Sequence, residues 1–189
     1  MIDALIARLE AGDEECSVED VARDAGVSRR TLYRYFPSRQ DLYAAAADGV
    51  YARMGQVGFE IADAGGIADS FIAGSKVTEQ HPHLSRALLH APAGRGIRMT
   101  GRRRRTASIE RAVAELGSSL PPAEVRGRAA VVALLCNAQA FIALQDESGL
   151  TPDESRAAIL DAIELLLNDV RRRPGRSRTT HSAGKKRQP

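Results

Sequence analysis

The chain has 189 residues, 43% hydrophobic and 27% charged, which is the balance of a globular protein of one domain or two small ones. It holds no apolar run near the roughly 18 residues that a bilayer span needs, so helical membrane proteins are excluded. The opening Met1-Ile2-Asp3 lacks the basic start of a secretory signal, and the expectation is a cytoplasmic protein with no membrane partner. Cys16 and Cys136 lie 120 residues apart in unrelated contexts, a spacing that makes neither a metal site nor a disulfide framework. The formal net charge is +3, but residues 171–189 hold eight basic residues and no acid. The preceding 170 residues therefore carry 19 basic against 24 acidic groups, a net of −5.

Glycine and proline divide the chain into helical segments, and no alternating run of Val, Ile, Thr or aromatic residues reads as a strand, so the fold class is all-α. Ile2, Leu5, Ile6 and Leu9 recur at helical spacing and give a first amphipathic helix that stops near Gly12. Ser17 caps a short helix, Val18 to Ala25, with Asp20 at its third position, and Gly26 ends it. Ser28 caps the next, Arg29 to Phe36, stopped by Pro37, and Ser38 caps a long helix expected from Arg39 to about Ala64. Helices follow over Ile67 to Glu79 and Pro82 to His90, then a loop through Gly96 and a helix from about Thr100 to Leu116. An alanine-rich helix is expected from Ala123 to Asp146. The last helix opens on Thr151-Pro152-Asp153-Glu154, a capping box with proline at the first position, and runs to Val170 with a stripe of Ile159, Ile163, Leu166 and Leu167. Beyond Arg173 the absence of apolar periodicity predicts a disordered basic tail.

The informative stretch is Ser17 to Arg39, SVEDVARDAGVSRRTLYRYFPSR. Two short helices cross closely only if small residues meet at the crossing, and Ala22 fills that place. Gly26 permits a positive φ in the turn. Val21, Val27, Leu32 and Phe36 fall inward, which leaves Arg29, Arg30, Tyr33 and Arg34 on the opposite face as i, i+4 pairs. Between Ser28 and Arg39 there are four arginines and no acid, although residues 1–50 as a whole are net −4. Arginine binds guanine O6 and N7 bidentately, Tyr33 reaches a thymine methyl or a phosphate, the hydroxyls of Ser28, Thr31 and Tyr35 suit the DNA backbone, and the helix N-termini at Ser17 and Ser28 suit phosphates.

The segment Asp20 to Leu42, DVARDAGVSRRTLYRYFPSRQDL, resembles the DNA-binding signature of the TetR family of bacterial transcriptional regulators, in its Gly-Val-Ser turn, its Thr-Leu-Tyr core and its Tyr-Phe-Pro-Ser ending. The resemblance implies a homodimer paired through its last two helices, an approximately palindromic double-stranded operator and a small-molecule effector. Carried over by position, it implies base contacts from Arg29, Arg30 and Tyr33 and phosphate contacts from Ser17, Thr31, Tyr35 and Arg39. It also implies three parts: a helix-turn-helix headpiece over residues 1–46, an effector-binding and dimerisation domain over 47–171, and the basic tail over 172–189. The function expected is a repressor released from its operator by a ligand. The alternative is a helical dimer that serves as a ligand-binding or interaction module without operator-specific binding, against which the acid-free arginine face argues.

Elsewhere the signals are weaker. Arg102 to Arg105 reads first as a solvated helix start and second as an anion site, because four consecutive helical residues point all around the axis. His81, His83 and His90 lack a ligand set for a metal, and Gly94 to Met99 fails the dinucleotide fingerprint, so neither metal nor cofactor is expected. No catalytic motif is present and an enzyme is not expected. From helical position alone, an effector pocket is expected among Met54, Val57, Ile61, Phe71, Leu88 and Phe141, with His90, Asn137 and Gln139 as polar contacts.

Overall fold

The computed structural model describes residues 1–13, 15–55, 61–117 and 120–172; Val57 and the tail from Arg173 lie outside them. Within the described residues the chain forms ten α-helices and no strand: α1 (Ile2–Glu10), α2 (Val18–Asp24), α3 (Arg29–Tyr35), α4 (Arg39–Arg53), α5 (Gly66–Gln80), α6 (Pro82–His90), α7 (Pro92–Leu116), α8 (Pro122–Leu135), α9 (Ala138–Ser148) and α10 (Pro152–Arg172). Side-chain oxygens start the helices where the sequence places them. Ser17, Ser28 and Ser38 accept the backbone N–H of Asp20, Thr31 and Asp41, and Thr151 forms its capping box with Glu154.

Three expected segments come out differently. The helix from Arg39 ends at Arg53 instead of near Ala64, because Gly55 adopts φ +64, a left-handed turn open to glycine. The loop expected through Gly96 is instead the start of α7, since its glycines serve packing. A Cβ at Gly94 would lie 2.1 Å from the Ala87 carbonyl oxygen on α6, and one at Gly96 would lie 2.5 Å from the Tyr43 ring on α4. The alanine-rich run is two helices bent by 59°, because Asn137 takes an extended backbone and its side chain caps α9 on Ala140 N–H at 3.0 Å. No single helix among the described residues is long and apolar enough to cross a membrane.

Burial divides the interior into two apolar bodies. The first joins α1–α4 to α6 and the start of α7, with Leu5, Leu9, Val21, Leu32, Leu42, Val50, Met54, Leu84, Leu88 and Ile97 at its centre. The second joins α5, the rest of α7, α8, α9 and α10 around Phe71, Ile109, Val132, Phe141, Ile159, Ile163 and Leu167. Ion pairs tie the outside of each. Arg8 reaches Asp13 and Asp24, Arg53 reaches Asp3 and Glu10, Arg86 joins α6 to Asp146 on α9, and Arg156 joins α10 to Glu79 on α5.

Candidate nucleic-acid interface

The α2–α3 pair is fixed from within. Val21, Ala22 and Leu32 are buried, Val27 and Phe36 pack partly against them, and Gly26 turns the chain at φ +66. Outside, Arg8 donates to both carboxylate oxygens of Asp24 at 2.6 and 3.0 Å, which anchors the end of α2 to α1 and holds the Asp24 carboxyl below its ordinary range. Asp20 is held down to about 2, chiefly by the Ser17 hydroxyl and then by the Ser17 backbone N–H. The price of this order falls on Ser17: its hydroxyl donates to Asp20 at 2.5 Å and accepts from the Asp20 N–H, so it is engaged within α2. Ser28 and Thr31 likewise bond each other at 3.0 Å.

The outer face of α3 carries Arg29, Arg30 and Arg34, all exposed, with Tyr33 half-buried beside them; Tyr35 is 61% exposed, and Arg39 is exposed at the start of α4. One feature was not legible in the spacing. Arg29 pairs with Glu19 of α2 at 2.8 Å and stacks 5.5 Å over the Tyr33 ring, which holds its guanidinium in place. Arg34 stacks at 5.4 Å on Tyr35. Arg30 makes no ion pair among the described residues. A convex strip of guanidinium groups on a short, internally locked helix is the shape and charge that enters a major groove.

Residues 9–46 match the family model described as bacterial regulatory proteins, tetR family. The likeness is to the family's N-terminal helical DNA-binding segment. No curated protein and no solved structure matches the chain. The match covers α1's last turn through the first half of α4 and so contains the whole α2–α3 pair, which makes this segment that of a DNA-binding regulator. The family match ends where a second site begins.

That second site is a cavity of about 80 Å³ between the two apolar bodies. Met54, Phe71, Leu88, Asn137 and Phe141 line it, as the sequence led one to expect. Three expected lining residues do not. Ile61 is buried in the second body with its N–H on the Ser108 hydroxyl, His90 is exposed at the end of α6, and Gln139 is exposed and accepts from Arg98 at 3.1 Å outside the lining. Tyr51, Ser85, Arg98, Arg102 and Arg105 line the cavity without having been expected there, and Cys136 lines it as well. Arg105 corrects the solvated reading of the arginine run: it turns inward and donates to the Cys136 carbonyl at 3.2 Å. The signal was present, because residues 98, 102 and 105 share one face of a helix, but it required α7 to begin before Thr100. Burial pushes the Cys136 thiol up to about 12 and Cys16 up to about 11, so neither is a reactive thiolate at neutral pH. Among the described residues no cluster of three or more His, Cys, Asp or Glu is placed to hold a metal ion.

Proposed function

We infer that this regulator is a homodimeric repressor that binds an approximately palindromic operator through paired α3 helices and leaves it when a small molecule occupies the cavity. The observation that carries the inference is the course of α4. It starts directly after the recognition helix at the Ser38 cap, spans about 22 Å for its 15 residues, and delivers Tyr51 and Met54 to the cavity wall at its other end. Occupancy that favours a different placement of α4 changes the separation of two headpieces and hence their fit to half-sites one or more helical turns apart.

Pairing through α8 and α10 is supported by their outer faces. Val131 and Leu134 of α8 are each 46% exposed and Leu165 of α10 is 72% exposed, flanked by the exposed small residues Gly127, Ala130, Ala157 and Ala158. Base contacts are assigned to Arg29, Arg30 and Tyr33, and backbone contacts to Ser17, Ser28, Thr31, Arg34, Tyr35 and Arg39. The test is selection of duplexes from a random pool by the purified full chain, followed by light scattering of the free protein. A recovered sequence with two-fold symmetry and a dimeric mass are expected. Recovery of no preferred sequence would refute operator binding and favour an interaction module.

A further inference from the structure

The cavity has two unlike halves. Phe71 and Phe141 meet edge to face at 6.2 Å and, with Met54 and Leu88, make an apolar wall. Facing it, α7 presents Arg98, Arg102 and Arg105, spaced by four and three residues and therefore stacked along one face. Among the described residues the lining contains no aspartate or glutamate. Arg98 makes no ion pair among the described residues. Among the described residues its guanidinium donates to the neutral Gln139 side chain, and its Nε is buried without an acceptor. Asn137 has its oxygen committed to capping α9, and its Nδ2 is likewise buried without an acceptor among them. Ser85 adds a buried hydroxyl with no partner among the same residues.

These groups all ask for the same thing. A guanidinium stays charged in a protein, and partly burying one without a counter-charge is unfavourable. Burial, followed by the like charge of Arg102, shifts Arg98 below its ordinary value. Unsatisfied donors on a planar guanidinium and an amide call for an acceptor that is itself negative and planar, and a carboxylate meets a guanidinium with two parallel bonds. An inorganic anion would leave the phenylalanine wall idle. A space of about 80 Å³, several times the roughly 10–15 Å³ that admits one water, fits a compact molecule.

We propose that the effector is a small amphipathic carboxylate, its head group bound by Arg98, Arg102 and the Asn137 amide and its apolar body laid against Phe71, Leu88 and Phe141. The proposal rests on the cavity being the effector site of the repressor described above. It places the charge sensor on α7, the helix whose first turns pack against α4 and α6.

The experiment is calorimetric titration of the full-length protein with benzoate and octanoate, with benzamide and octanamide as neutral counterparts and with inorganic phosphate. Operator release is followed in parallel by fluorescence anisotropy. Three variants accompany the wild type: Arg98→Gln, Arg102→Gln and, as a control that removes the same charge from an exposed position outside the lining, Arg103→Gln. At least one carboxylate is expected to saturate one site per chain and to bind about tenfold or more tightly than its amide. Arg98→Gln and Arg102→Gln should each weaken it by a similar factor, with Arg103→Gln unchanged. Amides binding as well as acids, phosphate alone binding, no titration with either acid, or equal losses in all three variants would each overturn the proposal. Carboxylate binding that leaves the operator complex intact keeps the anion site and refutes the repressor-release reading instead.

Discussion

Replacing Arg30 by alanine is the sharpest perturbation of the recognition helix. Arg30 is exposed and unpaired among the described residues, so it meets DNA without first giving up a partner. A bidentate guanine contact from such a residue is worth about 1–3 kcal/mol, or about 5- to 150-fold in affinity, and is felt at one base pair. Arg29 stands one position earlier but is held by Glu19 at 2.8 Å, with the two side chains 63% and 45% exposed. A pair that exposed is screened and worth about 0.2–1 kcal/mol, so Arg29→Ala should cost less than Arg30→Ala by up to roughly fivefold. Glu19→Gln frees Arg29 and removes an anion from the DNA side, which should tighten binding to every duplex and steepen the salt dependence by up to about 0.9 in log–log slope. The assay is anisotropy of labelled duplexes, one selected and one scrambled, at about 50 and about 200 mM salt. Equal weakening of both duplexes by Arg30→Ala would refute base reading by this residue, and an unchanged Glu19→Gln would show that Arg29 does not approach the DNA.

Leu134→Glu and Leu165→Glu place a charge on the exposed apolar faces of α8 and α10 and should convert dimers to monomers by sedimentation; a wild-type monomer at micromolar concentration would refute that pairing. Gly94→Ala should lower the thermal midpoint, since a Cβ 2.1 Å from backbone oxygen forces α6 from α7 at about 1–3 kcal/mol, more than the roughly 1 kcal/mol that alanine gains over glycine in a helix; an unchanged midpoint would show that the two helices separate freely. Asp20, Asp24, Asp146 and Glu154 all have carboxyls held down by hydrogen-bond partners, the first to about 2. Their contribution is complete above the ordinary carboxylate range near pH 4 and is lost as pH falls through the folded values, so the melting midpoint should drop between about pH 4 and about pH 2, and Ser17→Ala should reduce that drop. A midpoint flat across that interval would contradict the pairing seen in these caps.

Caps were the most legible part of the chain. Ser17, Ser28, Ser38 and Thr151 start helices because a serine or threonine oxygen followed at the third position by a backbone N–H, and often an acid, is a local arrangement that needs no tertiary partner. The helix-turn-helix core was legible for the same reason: Val21, Ala22, Val27, Leu32 and Phe36 share one apolar cluster within sixteen residues. What spacing could not reveal depended on distant partners. Gly94 and Gly96 read as breakers until α6 and Tyr43 are brought against them, at which point the missing side chains are what let α7 begin at Pro92. Arg98 and Arg105 then share a face that a helix starting at Thr100 would have split. Asn137 carried a usable signal, since an asparagine within an alanine-rich run is a better N-cap than a helix interior residue, and it marks the 59° bend that turns Phe141 toward Phe71.

On the proposed reading, the cavity's position also links ligand binding to the DNA-facing helices. Met54 and Leu88 of its wall belong to the same buried body as Leu32 of the recognition helix, whereas Phe71, Ala133 and Phe141 belong to the body whose outer helices α8 and α10 carry the exposed apolar faces. The cavity is therefore the seam between a DNA-facing unit and, on the proposed reading, a dimer-facing one. Close-packed interiors transmit displacement instead of absorbing it, so on that reading a ligand wedged at the seam would move one unit against the other and leave each intact. With the dimer-facing units fixed to each other, that motion becomes a change in headpiece separation. Allosteric couplings of about 1–3 kcal/mol change affinity by roughly 5- to 150-fold, and a single hydrogen bond to a charged group is worth about 1.5–3 kcal/mol. One arginine contact made in only one of the two arrangements would therefore be enough to operate the proposed switch, and the proposal assigns that contact to Arg98, half-buried on the helix that crosses from one body to the other.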